Sequence, residues 1–366
     1  MKKNEEYEIQ LELNNGGDSL KEILDKLLSK YGRISKKAAS SEINEETKEL
    51  REITSKSADL LLKRLKLMAV GRLENAKETE REFEAAVLQT WRTPLDLMNL
   101  LLYLCLEVNS DFVTERGSKT SNKNYVRTVL AKEQIKACLV FNQILHLLKN
   151  GFPSGALLHW KALHEITCVS YFILKYKEDL AKRFLDYEVV ERYFQAEAIM
   201  KHQKTIGSET LSEIEFEELK KEFSRTEKTY GKDFVKKANY PYGWVPHEIL
   251  KTRSLKEIEK TVNLDMFKSF YDLASYNFYA GPEGLIFKPV TAFVHLGPSN
   301  YGLADPGQVA AISLGQVTSC LLRSECNIRR LIIVEVLRNL VDEISVAFSE
   351  IKEEFGGEAK PVTALT

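Results

Sequence analysis

Apolar side chains recur at three- and four-residue spacing along most of the chain, the period of an amphipathic helix. Leu20, Ile23, Leu24, Leu27 and Leu28 form the first such face, entered through Asp18 or Ser19 as N-cap and closed by Gly32. Residues 40–92 follow as one long charged helix or a broken pair. Thr93-Pro94 reads as a fresh start with proline at the first position. Further helices are predicted over 125–149, 155–175, 179–202 and 211–230. Asn150-Gly151-Phe152-Pro153-Ser154 is a stop and restart, with Ser154 as the new N-cap. Shorter helices are predicted over 255–262 and 264–279, and Asp305-Pro306 opens a last helix to about residue 348. Period-two alternation is nowhere sustained, and 287–294 is the one stretch that would pass for a strand.

The pattern predicts an all-α protein, an irregular multi-helix bundle with an N-terminal helical arm. Residues 1–108 are the arm. Residues 109–124, rich in Ser, Thr and Asn, are a linker or mobile loop. The core bundle occupies 125–348, and 349–366 is a frayed tail.

Charge and cysteine content narrow the function. The chain has 52 Lys+Arg against 53 Asp+Glu, which argues against a nucleic-acid wrapper or a polybasic membrane binder. The basic pairs Lys36-Lys37, Lys220-Lys221, Lys236-Lys237 and Arg329-Arg330 lie among acids, so DNA is not an expected partner. The N-terminal decapeptide lacks the apolar core of a secretory signal. The most apolar windows, 94–106, 309–322 and 331–340, fall short of the ~20 apolar residues of a bilayer span. Five cysteines without a CxxC spacing predict free, buried, reduced thiols. Together these predict a cytoplasmic protein without a membrane partner.

Neither standard nucleotide fingerprint is present, and there is no HExxH or paired ExxH. Cys320 and Cys326 are six apart and do not share a helix face closely enough to chelate. No metal site is read from the sequence, and no cofactor is named by it.

Three groups of polar residues lie where core is expected. The first is on a segment apolar nearly all round, with Lys161, His164 and Glu165. Lys161 and Glu165 are one turn apart and can pair. They are either a buried ion pair with satisfied histidines or a site where Glu165 or His164 handles a proton or a ligand amine. The second is Arg183 with Tyr187 four residues on, either cation–π packing or an anion clamp. The third is Tyr271 in a Tyr-rich helix, then Thr291 and His295. His295 precedes Gly-Pro-Ser and is read as a general acid/base oriented by Thr291, or as a core histidine bonded to a carbonyl. Trp244, in the Pro-rich loop 240–246, either caps the core or walls a pocket.

In order, Ala156-Leu157-Leu158 with Lys161, Ala162, Leu163 and Glu165, then Arg183-Phe184-Leu185 with Tyr187, the Trp244 loop, the Tyr helix and Thr291 with Val294-His295 resemble the bacterial domain of unknown function family 5677 over about residues 125–299. The family pattern carries Arg where this chain has Lys161 and Ser where it has Thr291, and an insertion at 279–288 separates the Tyr helix from His295. Lys lacks the planar fork of Arg, which weakens any carry-over of an anion clamp. The resemblance implies an intracellular all-α protein, with some relatives in mobile or anti-phage gene neighbourhoods, and no known reaction. The HEPN ribonuclease motif is not met: Asn142 and His146 are present, but the Arg before Asn142 is not.

Two functions follow as expectations. One is an intracellular effector of the phage-defence or toxin type that hydrolyses RNA or a nucleotide. His295 and Glu165 would be catalytic, with Lys161, His164, Arg183, Tyr187, Trp244, Tyr271 and Thr291 binding the ligand. The other is a non-catalytic sensor or scaffold that binds a partner protein from the same operon or forms a homo-oligomer.

Overall fold

The computed structural model describes residues 48–115, 124–206, 211–278 and 298–356, together with Leu24. The predicted first helix around Leu20–Leu28, the strand candidate 287–294, Thr291 and His295 lie outside the described residues, apart from Leu24. The described residues divide into two compact units, one up to Phe83 and one from Glu84 onward. Apart from Leu24, the described residues of the first unit belong to α1 (Lys48–Thr90), one unbroken 43-residue helix where a broken pair was the alternative.

The second unit is built from helices alone among the described residues. They are α2 (Arg92–Thr114), α3 (Tyr125–Lys149), α4 (Pro153–Asp186), α5 (Glu188–Ile206), α6 (Glu213–Tyr230), α7 (Leu255–Thr261), α8 (Lys268–Phe278), α9 (Ala304–Ser324) and α10 (Ile328–Gly356). Short 3-10 turns at Lys237–Asn239 and Asp265–Phe267 punctuate the connections. The all-α multi-helix bundle expected from the periodicity is therefore what forms.

Helix α4 is the central element and packs against α3, α9, α7 and α8. Its inward positions Leu157, Trp160, Leu163, Ile166, Cys168, Phe172 and Ile173 are all buried. Burial of each large side chain contributes roughly 1.5–3 kcal/mol, and this is what holds the helix at the centre. Trp160 Nε1 donates to Val309 O at 3.1 Å and Ser313 Oγ at 3.0 Å, fixing α4 against α9. Gln134 of α3 donates to Cys105 O at 2.8 Å and accepts from Asn109 Nδ2 at 2.6 Å, which satisfies a fully buried amide between α2 and α3.

Several boundaries differ from the sequence reading. Helix α2 begins at Arg92 and runs through Thr114, so Asn109 belongs to a helix although its neighbours read as linker. Helix α4 begins at Pro153 after the Phe152 cap, which places Ser154 inside the first turn instead of at the cap. The break expected between residues 175 and 179 is present at Lys177, whose φ is 66° and ψ −147°. The single last helix is two helices. The chain turns at Glu325-Cys326-Asn327, where Asn327 Oδ1 caps Arg330 N at 3.0 Å. Arg330 there donates to Glu325 O and Glu115, each at 2.6 Å, and lies over the Phe112 ring with Arg127. Four cysteines are buried as expected, but Cys326 is exposed because it sits in this turn. Helix α2 is long and apolar enough to cross a membrane by length and composition, while its Leu95, Met98, Leu101 and Cys105 are buried in the bundle.

Candidate functional site

His164 and Glu165 are adjacent on α4, about 100° apart around the helix axis, so they enter different surroundings. His164 faces α7 and α8. Its Nε2 lies 2.8 Å from Glu259 Oε1 of α7 and 3.6 Å from Cys168 Sγ one turn along α4. The imidazole is 1% exposed and is framed by the rings of Trp160 at 5.0 Å, Phe267 at 5.6 Å and Tyr271 at 6.2 Å. Burial, followed by the Glu259 and Glu165 carboxylates, pushes the Cys168 thiol far above its usual range. Lys161 completes this side: its Nζ donates to Ser275 Oγ at 2.7 Å and lies 4.2 Å from the Tyr271 ring centre.

Glu165, a quarter-turn or so round the helix, points into a cavity of about 360 Å³. Helix α3 supplies Lys132, Glu133 and Lys136 to its wall, α5 supplies Glu188 and Glu191, and the loop after α6 supplies Tyr242 and Trp244. Phe184 and Tyr187, at the end of α4, complete the aromatic wall. Tyr242 donates its hydroxyl to Glu165 Oε1 at 2.6 Å. Burial and then the Glu165 charge push that phenol far above the ordinary tyrosine range. Desolvation, with the charges of Glu165 and Glu191, raises the Glu133 carboxyl against the opposing pull of Lys136. Desolvation also raises Glu191, where Glu188 and Glu165 add to it and Lys136 again opposes. Four carboxylates and two ammonium groups thus line one aromatic-walled space.

Lys161 and Glu165, which their spacing would let pair, have separate partners. In the second group Arg183 is engaged with rings and a carbonyl, while Tyr187 also lines the cavity. The Arg183 guanidinium lies 4.9 Å from the Phe234 ring and 5.1 Å from Tyr230, with Nε donating to Trp244 O at 2.9 Å. Tyr187 stands edge-on to Phe234 at 5.2 Å, and burial pushes its phenol up to about 12. Gly243 is required beside it, because a Cβ there would come within 2.7 Å of the Tyr187 hydroxyl and 2.6 Å of Phe234 O. Trp244 both caps the core, at 3% exposed, and walls the cavity, so the two readings of it coincide.

Lys161, His164 and Tyr271 therefore come together beside α7 and α8, while Glu165, Tyr187 and Trp244 line the adjoining cavity. Arg183 supports the cavity loop from outside the cavity lining. Residues 134–286 match the model of a family of unknown function, DUF5677. No match is found among curated proteins, and none among solved structures.

The segment that matches DUF5677 contains α4, α5, α6, α7 and α8, and with them Lys161, His164, Glu165, Arg183, Tyr187, Trp244 and Tyr271. It ends before Thr291 and His295, which the resemblance read from the sequence had included. Glu133 lies one residue outside its start.

The sequence reading missed Glu133, Glu191, Tyr242, Cys168 and Glu259. Cys168 carried a signal, its i, i+4 spacing from His164. Tyr242 lay in the Pro-rich loop already singled out for Trp244. Glu133, Glu191 and Glu259 looked like any other helix-surface acids, and nothing local marked them.

Proposed function

We propose that this DUF5677 domain is a non-catalytic ligand-sensing module whose cavity takes a small organic cation. One observation carries the reading: Glu133 of α3, Glu165 of α4 and Glu191 of α5 converge in one cavity walled by Phe184, Tyr187, Tyr242 and Trp244. Crowded carboxylates favour a positive guest, and aromatic faces attract cations by their quadrupoles. The cavity volume falls at the lower end of the ~300–1,000 Å³ range of small-molecule sites. Exposed apolar side chains on α2 (Leu100, Tyr103, Leu106) and α10 (Leu331, Ile332, Val336) support the scaffold half of the reading, a surface for a partner protein or a second copy.

The hydrolytic effector reading draws less support. It assigned Lys161 and Arg183 to phosphate, but Lys161 is engaged with Ser275 and Tyr271, and Arg183 with Trp244 O and two rings. An excess of carboxylates at the cavity wall repels a phosphate.

Thermal melting and calorimetry with putrescine, guanidinium compounds and AMP test the proposal. The expected result is an upward Tm shift with an amine or guanidinium compound and none with AMP. Glu165→Gln and Glu133→Gln, with unchanged helical circular dichroism, should lose the shift. Stabilisation by AMP alone would overturn the proposal and return the nucleotide reading.

A further inference from the structure

We propose that His164, Cys168 and Glu259 form a binding site for a single zinc-type transition-metal ion, distinct from the acidic cavity. The three residues offer one nitrogen, one sulfur and one carboxylate oxygen, all within 4.8 Å of one another, and all three residues are buried. Imidazole and thiolate together select zinc and its neighbours over magnesium or calcium, which prefer all-oxygen shells.

The nitrogen–sulfur distance fits a shared metal, and the nitrogen–oxygen distance comes within about half an ångström of it. Zinc–nitrogen bonds of about 2.0–2.1 Å and zinc–sulfur bonds of about 2.3 Å set the two atoms roughly 3.5 Å apart in a tetrahedron. The observed His164 Nε2 to Cys168 Sγ distance is 3.6 Å. Nitrogen and oxygen ligands stand about 3.3 Å apart in the same geometry. Glu259 Oε1, at 2.8 Å from Nε2, would have to move outward by about half an ångström. That movement falls on α7, a seven-residue helix.

A single ring nitrogen faces both the carboxylate and the sulfur, and one proton on Nε2 can serve only one of them at a time. A cation in place of that proton serves all three. Trp160, Phe267 and Tyr271 around the imidazole supply the apolar shell that strengthens such a site. Three protein ligands leave the fourth tetrahedral position to a water or a small exogenous ligand.

The test uses the full chain with Cys326→Ala, which removes the exposed thiol as a competing ligand. The protein is stripped with a chelator, dialysed and titrated with Co²⁺. The expected result is saturation at one equivalent, with a thiolate-to-cobalt charge-transfer band, intense tetrahedral ligand-field bands, and displacement by Zn²⁺. Cys168→Ser should abolish the charge-transfer band. Glu259→Gln should keep it while weakening affinity roughly tenfold or more, since each ligand contributes to a pre-formed site. Cys320→Ser, a buried thiol outside the cluster, should change nothing. Absence of the band in the parent protein, or its survival in Cys168→Ser, overturns the site and leaves a buried hydrogen bond between α4 and α7. If Cys168→Ser does not fold, the zinc-edge absorption spectrum of the loaded parent protein decides. One sulfur neighbour supports the site, and a shell of light atoms only overturns it. None of these readouts depends on what the acidic cavity binds.

Discussion

The Tyr242 hydroxyl donates to Glu165 Oε1 at 2.6 Å, joining residues 77 apart in sequence. This bond ties the loop after α6 to the central helix and forms one corner of the cavity. Tyr242→Phe keeps the ring and removes the donor. Stability should fall by about 1 kcal/mol, because water can partly re-solvate the half-buried carboxylate. Urea denaturation with an unchanged m-value is the check.

The carboxyls of Glu133 and Glu191 are raised above the ordinary glutamate value, chiefly by desolvation. The folded protein therefore binds protons more tightly than the unfolded chain at these positions. Their contribution to stability is fully present below the unfolded value of about 4.3 and is lost as pH rises through the raised folded values. Glu133→Gln should flatten this fall and make the variant the more stable form at neutral pH. Urea midpoints measured from pH 4 to pH 8 would show it, and parallel curves for the two proteins would contradict it.

Gly307 of α9 allows close approach of α10. A Cβ at this position would lie 2.3 Å from Phe348 Cζ and 2.5 Å from Cε2, with the ring fully buried. Gly307→Ala should cost about 1–3 kcal/mol through overpacking. Phe348→Leu in the same chain should recover part of that loss. A double-mutant cycle by chemical denaturation measures the coupling.

Lys177 interrupts α4 with φ 66° and ψ −147°, a region that glycine enters without a Cβ penalty. The strain amounts to roughly 1–3 kcal/mol. Glycine returns about 0.5–1 kcal/mol of that through the freedom it adds to the unfolded chain. Lys177→Gly should therefore stabilise the protein by about 1 kcal/mol, seen as a higher urea midpoint.

Much of the fold was legible locally. The 3.6-residue period of α3, α4 and α6 needs only the spacing of residues such as Leu157, Ile166 and Phe172, and the break near Lys177 was visible as a gap between two periodic runs. The turn at Glu325-Cys326-Asn327 was not visible, because no glycine or proline marks it. It is held by Arg330 reaching Glu325 and the distant Glu115. The end of α2 was hidden for a similar reason. Asn109 reads as a loop residue, and only its bonds to Gln134 and Ala131 O place it in a helix.

The candidate site divides in the same way. The sequence by itself determined that α4 is buried nearly all round and that Lys161, His164 and Glu165 therefore need partners, since burying polar groups is costly without them. It also determined the resemblance that the DUF5677 match bears out over residues 134–286. Tertiary structure alone decided who the partners are. Glu259 reaches His164 from 95 residues away, Tyr242 reaches Glu165, and Glu133 and Glu191 join them from other helices. A charged residue on a solvated helix face and one turned into a cavity have the same local pattern. Only the packing of α3, α5 and α7 around α4 separates them, because that packing sets which carboxylates lose their water.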